Sequence, residues 1–126
     1  MTRILVLLGA AFALSVGLAA SALGQRASMT PTLKGVVGPG YTISLRKAGK
    51  RFTSLKAGTY RVTVTDRSAL HNFTLERESP KPKIEKHVTG TVFKGTKTIT
   101  VRLKRGRWSF YCSNHESMMH GFFRVS

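Results

Sequence analysis

Strict alternation of apolar and polar residues constrains this chain's fold more than any other feature. Tyr60, Val62 and Val64 alternate with polar residues, and the segments 41–46 and 99–104 repeat this pattern. Successive side chains of a strand point to opposite faces of a sheet, so each segment is predicted to form a half-buried strand. After residue 24 there is no apolar stripe at helical spacing. The sequence therefore predicts an all-β fold.

Two more strands are predicted near the C-terminus, at 107–112 and 122–125, where apolar residues again share one face. Glycine-containing turns separate the predicted strands. Seven or eight short strands at this spacing are typical of a Greek-key β-sandwich or barrel. The segment 76–83 contains two prolines, which cannot donate hydrogen bonds to a neighbouring strand, so we predict an exposed loop there.

Residues 1–24 have the pattern of a secretory signal peptide. Arg3 precedes an uncharged run rich in Leu and Ala that ends on the small residues Ala22 and Gly24. Small residues at those spacings are typical of a cleavage site, either after Gly24 or after Ala22. An uncleaved membrane anchor is the alternative, because 4–24 is long enough to span a bilayer. Both interpretations predict an exported protein, periplasmic or otherwise extracytoplasmic.

The rest of the chain is predicted to consist of a flexible lead-in at 25–37 and a single domain at 38–126. A length of 126 residues leaves room for one domain. The hydrophobic content of 41% excludes a disordered basic tail, which would have too little apolar surface to fold. We expect this domain to be a monomer.

The chain is strongly basic, with 21 Lys and Arg, 5 Asp and Glu, and a formal net charge of +16. Such a charge attracts acidic proteins and anionic surfaces. An exported protein seldom meets nucleic acid, so we expect no nucleic-acid partner. Membrane contact is expected only through the signal peptide or an anionic envelope surface. Arg61 and Arg102 lie in the polar phase of their strands, where they can equally belong to an ordinary solvated face.

The run 110–123 combines a thiol, imidazoles and thioethers, in Cys112, His115, Met118, Met119 and His120. A thiolate with two imidazoles and a weak, distant thioether is the donor set of a blue copper site, whereas zinc requires a fourth strong ligand. A second imidazole must come from elsewhere in the chain. His71 is the candidate, because it stands just before an apolar strand-like segment.

These motifs resemble the cupredoxins, the small blue copper proteins related to plastocyanin and pseudoazurin. The resemblance extends from about residue 41 to the C-terminus. The residues that carry it are Asp66, His71-Asn72-Phe73, 95–99, 106–112, His115, Met119-His120-Gly121 and 123–125. It implies that one copper ion, cycling between Cu(I) and Cu(II), is bound by His71, Cys112, His115 and Met119.

The resemblance leaves alternatives for the axial ligand. In plastocyanin the methionine follows the loop histidine by five residues, and here that position holds His120. Met119 is favoured over Met118 because it keeps the Met-x-Gly order, in which the glycine permits a close turn into the last strand. His120 is then either a residue on the rim of the site or a substitute axial donor. Asn114 stands where many relatives have proline.

The function that the resemblance implies is one-electron transport between larger redox proteins, not catalysis. Asn72 would tie the His71 segment to the ligand loop, and Met118, His120 and Phe122 would surround His115 as a docking rim. The net charge predicts a redox partner with an acidic docking face. An extracytoplasmic copper carrier or buffer that delivers copper is the alternative function. A third possibility is a basic binding module in which copper is only structural.

Overall fold

A computed structural model describes residues 27–126, which form nine β-strands and no helix. The strands are β1 (Thr32–Val37), β2 (Ile43–Lys47), β3 (Ser54–Leu55), β4 (Gly58–Asp66), β5 (Phe73–Ser79), β6 (Ile84–Thr89), β7 (Gly95–Leu103), β8 (Gly106–Tyr111) and β9 (His120–Val125). The predicted all-β fold is confirmed. The predicted signal peptide, 1–24, lies outside the described residues. Within 27–126 there is no helix with the length and hydropathy needed to span a bilayer.

The strands form two sheets. Sheet A has the order β2-β1-β4-β7, and sheet B has the order β3-β9-β8-β5-β6. The pairs β1–β4 and β3–β9 are parallel, and the other neighbours are antiparallel. The apolar faces of the strands form one continuous core, whose largest fully buried side chains are Trp108 and Phe73. The predicted alternation holds in β4, where Val62 is buried and Arg61 is exposed.

The prediction of a flexible lead-in at 25–37 is wrong for residues 32–37, which form strand β1. This strand pairs with both β2 and β4, and its Leu33 and Val37 side chains are completely buried. The alternation was hidden because the core position between them is Gly35. A Cβ atom at that position would lie 2.9 Å from the Phe73 ring, so the close approach of the ring excludes a larger residue. Residues 32–37 are therefore part of the sheet and not a flexible lead-in.

The prediction of an exposed loop at 76–83 is wrong for residues 76–79, which belong to strand β5. Strand β5 continues to Ser79 in the interior of sheet B, and both prolines lie in the turn that follows it. Glu76 is buried in this strand because its carboxylate accepts a hydrogen bond from Tyr111 at 2.7 Å and pairs with Lys83 at 3.0 Å. Strand β6 was not predicted, because three of its first four residues are polar and exposed, as is common for an edge strand.

Candidate metal centre

His71 and Cys112 come together because their strands are antiparallel neighbours in sheet B. His71 lies just before β5 and Cys112 just after β8, and Thr74 of β5 pairs with Tyr111 of β8. The beginning of one strand therefore lies beside the end of the other. His115 joins them from the loop that leads to β9. The sheet thus brings together donors that are 41 residues apart in the chain.

The three donor atoms form a compact triangle. The Nδ1 atoms of His71 and His115 are 3.1 Å apart, and the Cys112 Sγ atom lies 3.8 Å and 3.7 Å from them respectively. The point equidistant from the three atoms is about 2 Å from each, close to the metal–nitrogen bond length in proteins. Among residues 27–126, these are the side chains grouped closely enough to hold a metal ion.

The chemistry of this triangle fits copper. Lone pairs of two imidazoles and a sulfur that converge on one point repel each other unless a proton or a cation lies between them. Cys112 and His71 are buried, and His115 is half-buried, so water screens this repulsion poorly. A thiolate with two imidazoles at the corners of a triangle is the arrangement that suits copper. These three residues therefore fit the predicted cofactor.

Backbone hydrogen bonds connect the two ends of the ligand loop, residues 112–119, which joins β8 to β9. The amide of His115 donates to the Cys112 carbonyl at 3.1 Å, and the amide of Met119 donates to the His115 carbonyl at 2.8 Å. The Cys112 amide in turn donates to the Met119 carbonyl at 3.0 Å. These bonds fix the conformation of the loop and hold Met119 next to Cys112.

Burial distinguishes the three candidates for a fourth ligand. The Met119 side chain is fully buried in the same core cluster as Cys112. Met118 is 59% exposed. His120 is exposed, and its Nδ1 atom donates a hydrogen bond to the Glu116 carbonyl at 2.7 Å. Met119 is therefore the thioether on the inner side of the loop.

Asn72 connects the two ligand-bearing segments. Its backbone amide donates to the Cys112 Sγ atom at 3.5 Å, a contact that stabilises a thiolate. Its side-chain oxygen accepts hydrogen bonds from the Ser113 amide and hydroxyl at 2.7 Å and 3.2 Å. Its side-chain nitrogen lies 3.5 Å from the Thr74 hydroxyl. Because Asn72 is itself buried, water competes poorly for these bonds.

A second group of hydrogen bonds, between Asp66, Thr89 and the backbone near His71, was not predicted from the sequence. The Thr89 hydroxyl donates to the buried carboxylate of Asp66 at 2.7 Å and accepts a hydrogen bond from the Phe73 amide at 2.9 Å. Asp66 also accepts a bond from the Ser68 amide at 3.1 Å. These hydrogen bonds fix the segment that leads to His71. No signal identified Thr89, because strand β6 was not predicted.

The surface beside His115 is partly apolar. The Tyr41 ring lies edge-on to the His115 ring, with centroids 5.0 Å apart, and Leu70 is 74% exposed. A shallow cavity of about 470 Å³ is lined by Gly40, Tyr41, Ser68, Leu70, His71, Asn114 and His115. The residues predicted as the rim, Met118, His120 and Phe122, line other cavities. Tyr41 and Leu70 were not identified from the sequence.

Comparison with known proteins identifies the fold. No family model matches the sequence, and no curated protein matches it. A solved structure of the copper protein rusticyanin is 19% identical over 75% of this chain and 76% of its own, with a TM-score of 0.54. Reduced auracyanin from the photosynthetic bacterium Roseiflexus castenholzii is 18% identical over 77% and 98%, with a TM-score of 0.53. Both are cupredoxins, and the chain therefore has the cupredoxin fold.

Proposed function

We propose that this chain is an exported blue copper protein that carries single electrons between larger redox proteins. One copper ion would be held by His71, Cys112 and His115, with the Met119 thioether as a weak fourth ligand. The observation that carries the proposal is the triangle of Nδ1, Nδ1 and Sγ atoms on a cupredoxin fold. The bound ion would supply one-electron chemistry by changing between Cu(I) and Cu(II). No catalytic reaction is part of this proposal.

The rigidity of the ligand segments favours electron transfer. Loop hydrogen bonds fix Cys112, His115 and Met119 relative to each other, and Asn72 fixes the loop relative to the His71 segment. When few atoms must move as the charge of a site changes, the barrier to electron transfer is low. Hydrogen bonds to the ligands also tune the potential of the site.

The proposed route for electrons is the His115 edge. Cys112 is fully buried, which keeps water from the sulfur, whereas the half-buried His115 lines the cavity beside Tyr41 and Leu70. An apolar contact there would bring a partner within a short distance of the ligands. The net charge of +16 supports an acidic docking face on that partner.

The proposal is tested by titrating the purified chain with Cu(II) and then with ascorbate. An intense blue absorption band with a matching paramagnetic resonance signal, bleached by ascorbate and restored by an oxidant, is the expected result. Cys112→Ser should remove the band, while Ser117→Ala, an exposed change in the same loop, should keep it. A blue band in Cys112→Ser would overturn the ligand assignment.

Copper delivery is the second candidate, and the exposure of Met118 favours it. This thioether is 59% exposed in the ligand loop, where it could hand an ion to another protein. Delivery predicts a colourless, Cu(I)-only product and rapid loss of copper to a chelator. Reversible blue colour with slow loss of copper favours the electron carrier.

A further inference from the structure

The outward face of sheet A carries one exposed cation on each of its four strands. They are Arg46 on β2, Lys34 on β1, Arg61 on β4 and Arg102 on β7. Lys34 pairs directly with Arg46. Lys34 also pairs with Thr63, two residues from Arg61, and Arg102 pairs with Thr59, two residues from Arg61. The four cations therefore form a continuous diagonal line, the cationic row.

The cationic row has no acidic partner. Within residues 27–126, every salt bridge uses Glu76, Glu78 or Glu85, all on β5 and β6 of sheet B. The other acidic residues are the buried Asp66 and Glu116 of the ligand loop. Like charges opposite each other in an antiparallel pair are destabilising, so the Lys34–Arg46 pair carries an energetic cost. A bound layer of anions would remove that cost.

The other outward groups of sheet A indicate what kind of anion fits. They are mainly hydroxyls, and those of Thr63 and Thr98 lie 2.9 Å apart. In the described part of the chain, the exposed large apolar side chains lie outside these four strands. Protein interfaces have an apolar centre rich in aromatic residues and Met, which this face lacks. A cationic face with hydroxyls fits instead the phosphate headgroups of a lipid surface.

We propose that the outward face of sheet A binds anionic membrane surfaces through the cationic row. The cavity beside His115 contains none of the four cations, so binding would leave that edge open. The carboxylates of β5 and β6 lie on the other sheet, which favours the orientation with sheet A toward the lipid. This inference does not depend on copper.

The test is cosedimentation of the purified full chain with two kinds of vesicle. One is pure phosphatidylcholine, and the other contains about 30% phosphatidylglycerol. Any binding by the apolar segment 4–24 is common to both vesicles, so the difference between them measures the contribution of charge. The row variant replaces Lys34, Arg46, Arg61 and Arg102 by Gln. The control variant makes the same charge change at exposed positions outside this face, Lys81, Lys86, Lys94 and Arg124.

Each cation at an anionic surface contributes about fivefold to the partition coefficient, so the row variant should lose on the order of a hundredfold or more. The control variant should lose clearly less, and salt should weaken binding of the unmodified chain. Equal losses in the two variants, or equal binding to both vesicles, would overturn the proposal. So would a row variant that loses binding to duplex DNA but not to anionic vesicles.

A variant that conserves the charge distinguishes loss of charge from misfolding. Arg61→Lys with Arg102→Lys keeps the charge of the row and should keep at least half of the binding to anionic vesicles. If this variant loses binding as completely as the Gln variant does while its circular dichroism spectrum is unchanged, charge is not the cause and the proposal fails.

Discussion

The side-chain oxygen of Asn72 accepts a 2.7 Å hydrogen bond from the backbone amide of Ser113, across 41 residues of sequence. It joins the segment that contains His71 to the loop that follows Cys112. The backbone amide of the same residue points at the Cys112 sulfur. One buried side chain therefore helps to set the spacing between donor atoms from two parts of the chain.

Asn72→Ala should weaken both the fold and the metal site. It leaves the Ser113 amide without its partner, which costs about 1–3 kcal/mol in unfolding free energy. Loss of a residue that orients metal ligands typically lowers metal affinity by about 10–100-fold. Urea unfolding of the metal-free chain and a competition titration with Cu(I) measure the two effects. Asn114→Ala is the matched control, because Asn114 is exposed in the same loop. Equal effects of the two substitutions would contradict the role given to Asn72.

Met119→Leu should change the electronic properties of the site with little effect on stability. Leu conserves the buried volume, so the unfolding free energy should fall by less than about 1.5 kcal/mol. Loss of the thioether should shift the reduction potential and the intensity ratio of the visible bands. Met118→Leu and His120→Gln, both exposed, should leave the spectrum and potential unchanged. A shift in either of these variants, with none in Met119→Leu, would move the axial role to that residue.

Gly121→Ala should destabilise the domain through packing. A Cβ atom at Gly121 would overlap the Phe110 ring, and that ring stacks on Phe73 with centroids 5.8 Å apart. Overpacking of this kind costs about 1–3 kcal/mol, measurable as a lower urea midpoint. Gly90→Ala is the control, because a Cβ there meets nothing within 4 Å. Adding Phe110→Leu to Gly121→Ala should recover part of the loss; full additivity of the two substitutions would argue against the overlap.

The sequence was most informative where residue type and spacing act locally. The alternation around Val62 predicted β4, because it follows from which side chains face the core. The thiol, imidazole and thioether between Cys112 and Met119 predicted the candidate metal centre, because these donor types lie within one short run of sequence. The sequence pointed to Gly121 because a glycine permits a close turn. In the structure the reason is different: the Phe110 ring lies where a Cβ atom of residue 121 would be.

The remaining features depend on contacts between distant segments. Strand β1 was missed because Gly35 is buried by the side chains of Val64 and Phe73, which come from other strands. The extent of β5 was misjudged because Glu76 is polar, yet Tyr111 and Lys83 satisfy it. Tyr41 reaches the His115 edge from the loop before β2, and nothing in its local sequence indicates this proximity.

Glu76 should make stability depend on pH in the acidic range. Burial alone raises the pKa of this carboxyl, but hydrogen bonds from Tyr111 and Lys83 outweigh it and hold the pKa below the ordinary value of a glutamate. A carboxyl with a lower pKa in the folded state stabilises it at neutral pH, and this stabilisation is lost as the pH falls through the folded value. Glu76→Gln should cost about 1–3 kcal/mol at pH 7 and flatten the acidic fall in unfolding free energy of the metal-free chain. Glu78→Gln, a more exposed carboxylate on the same strand, should change the profile less.

The positive charge should control electron exchange at the His115 edge. With ferricyanide, an anionic oxidant, the rate constant measured by stopped-flow absorbance should fall as ionic strength rises; with a cationic cobalt complex it should rise. Arg51 lines the cavity that contains Tyr41 and Met118, so Arg51→Glu should slow the anionic oxidant several-fold at low salt. Lys81→Glu makes the same charge change in the β5–β6 turn and should have a smaller effect, because a charge farther from the docking point is screened more strongly. If the two variants slow the reaction equally, net charge alone sets the rate and electrons need not leave through this edge.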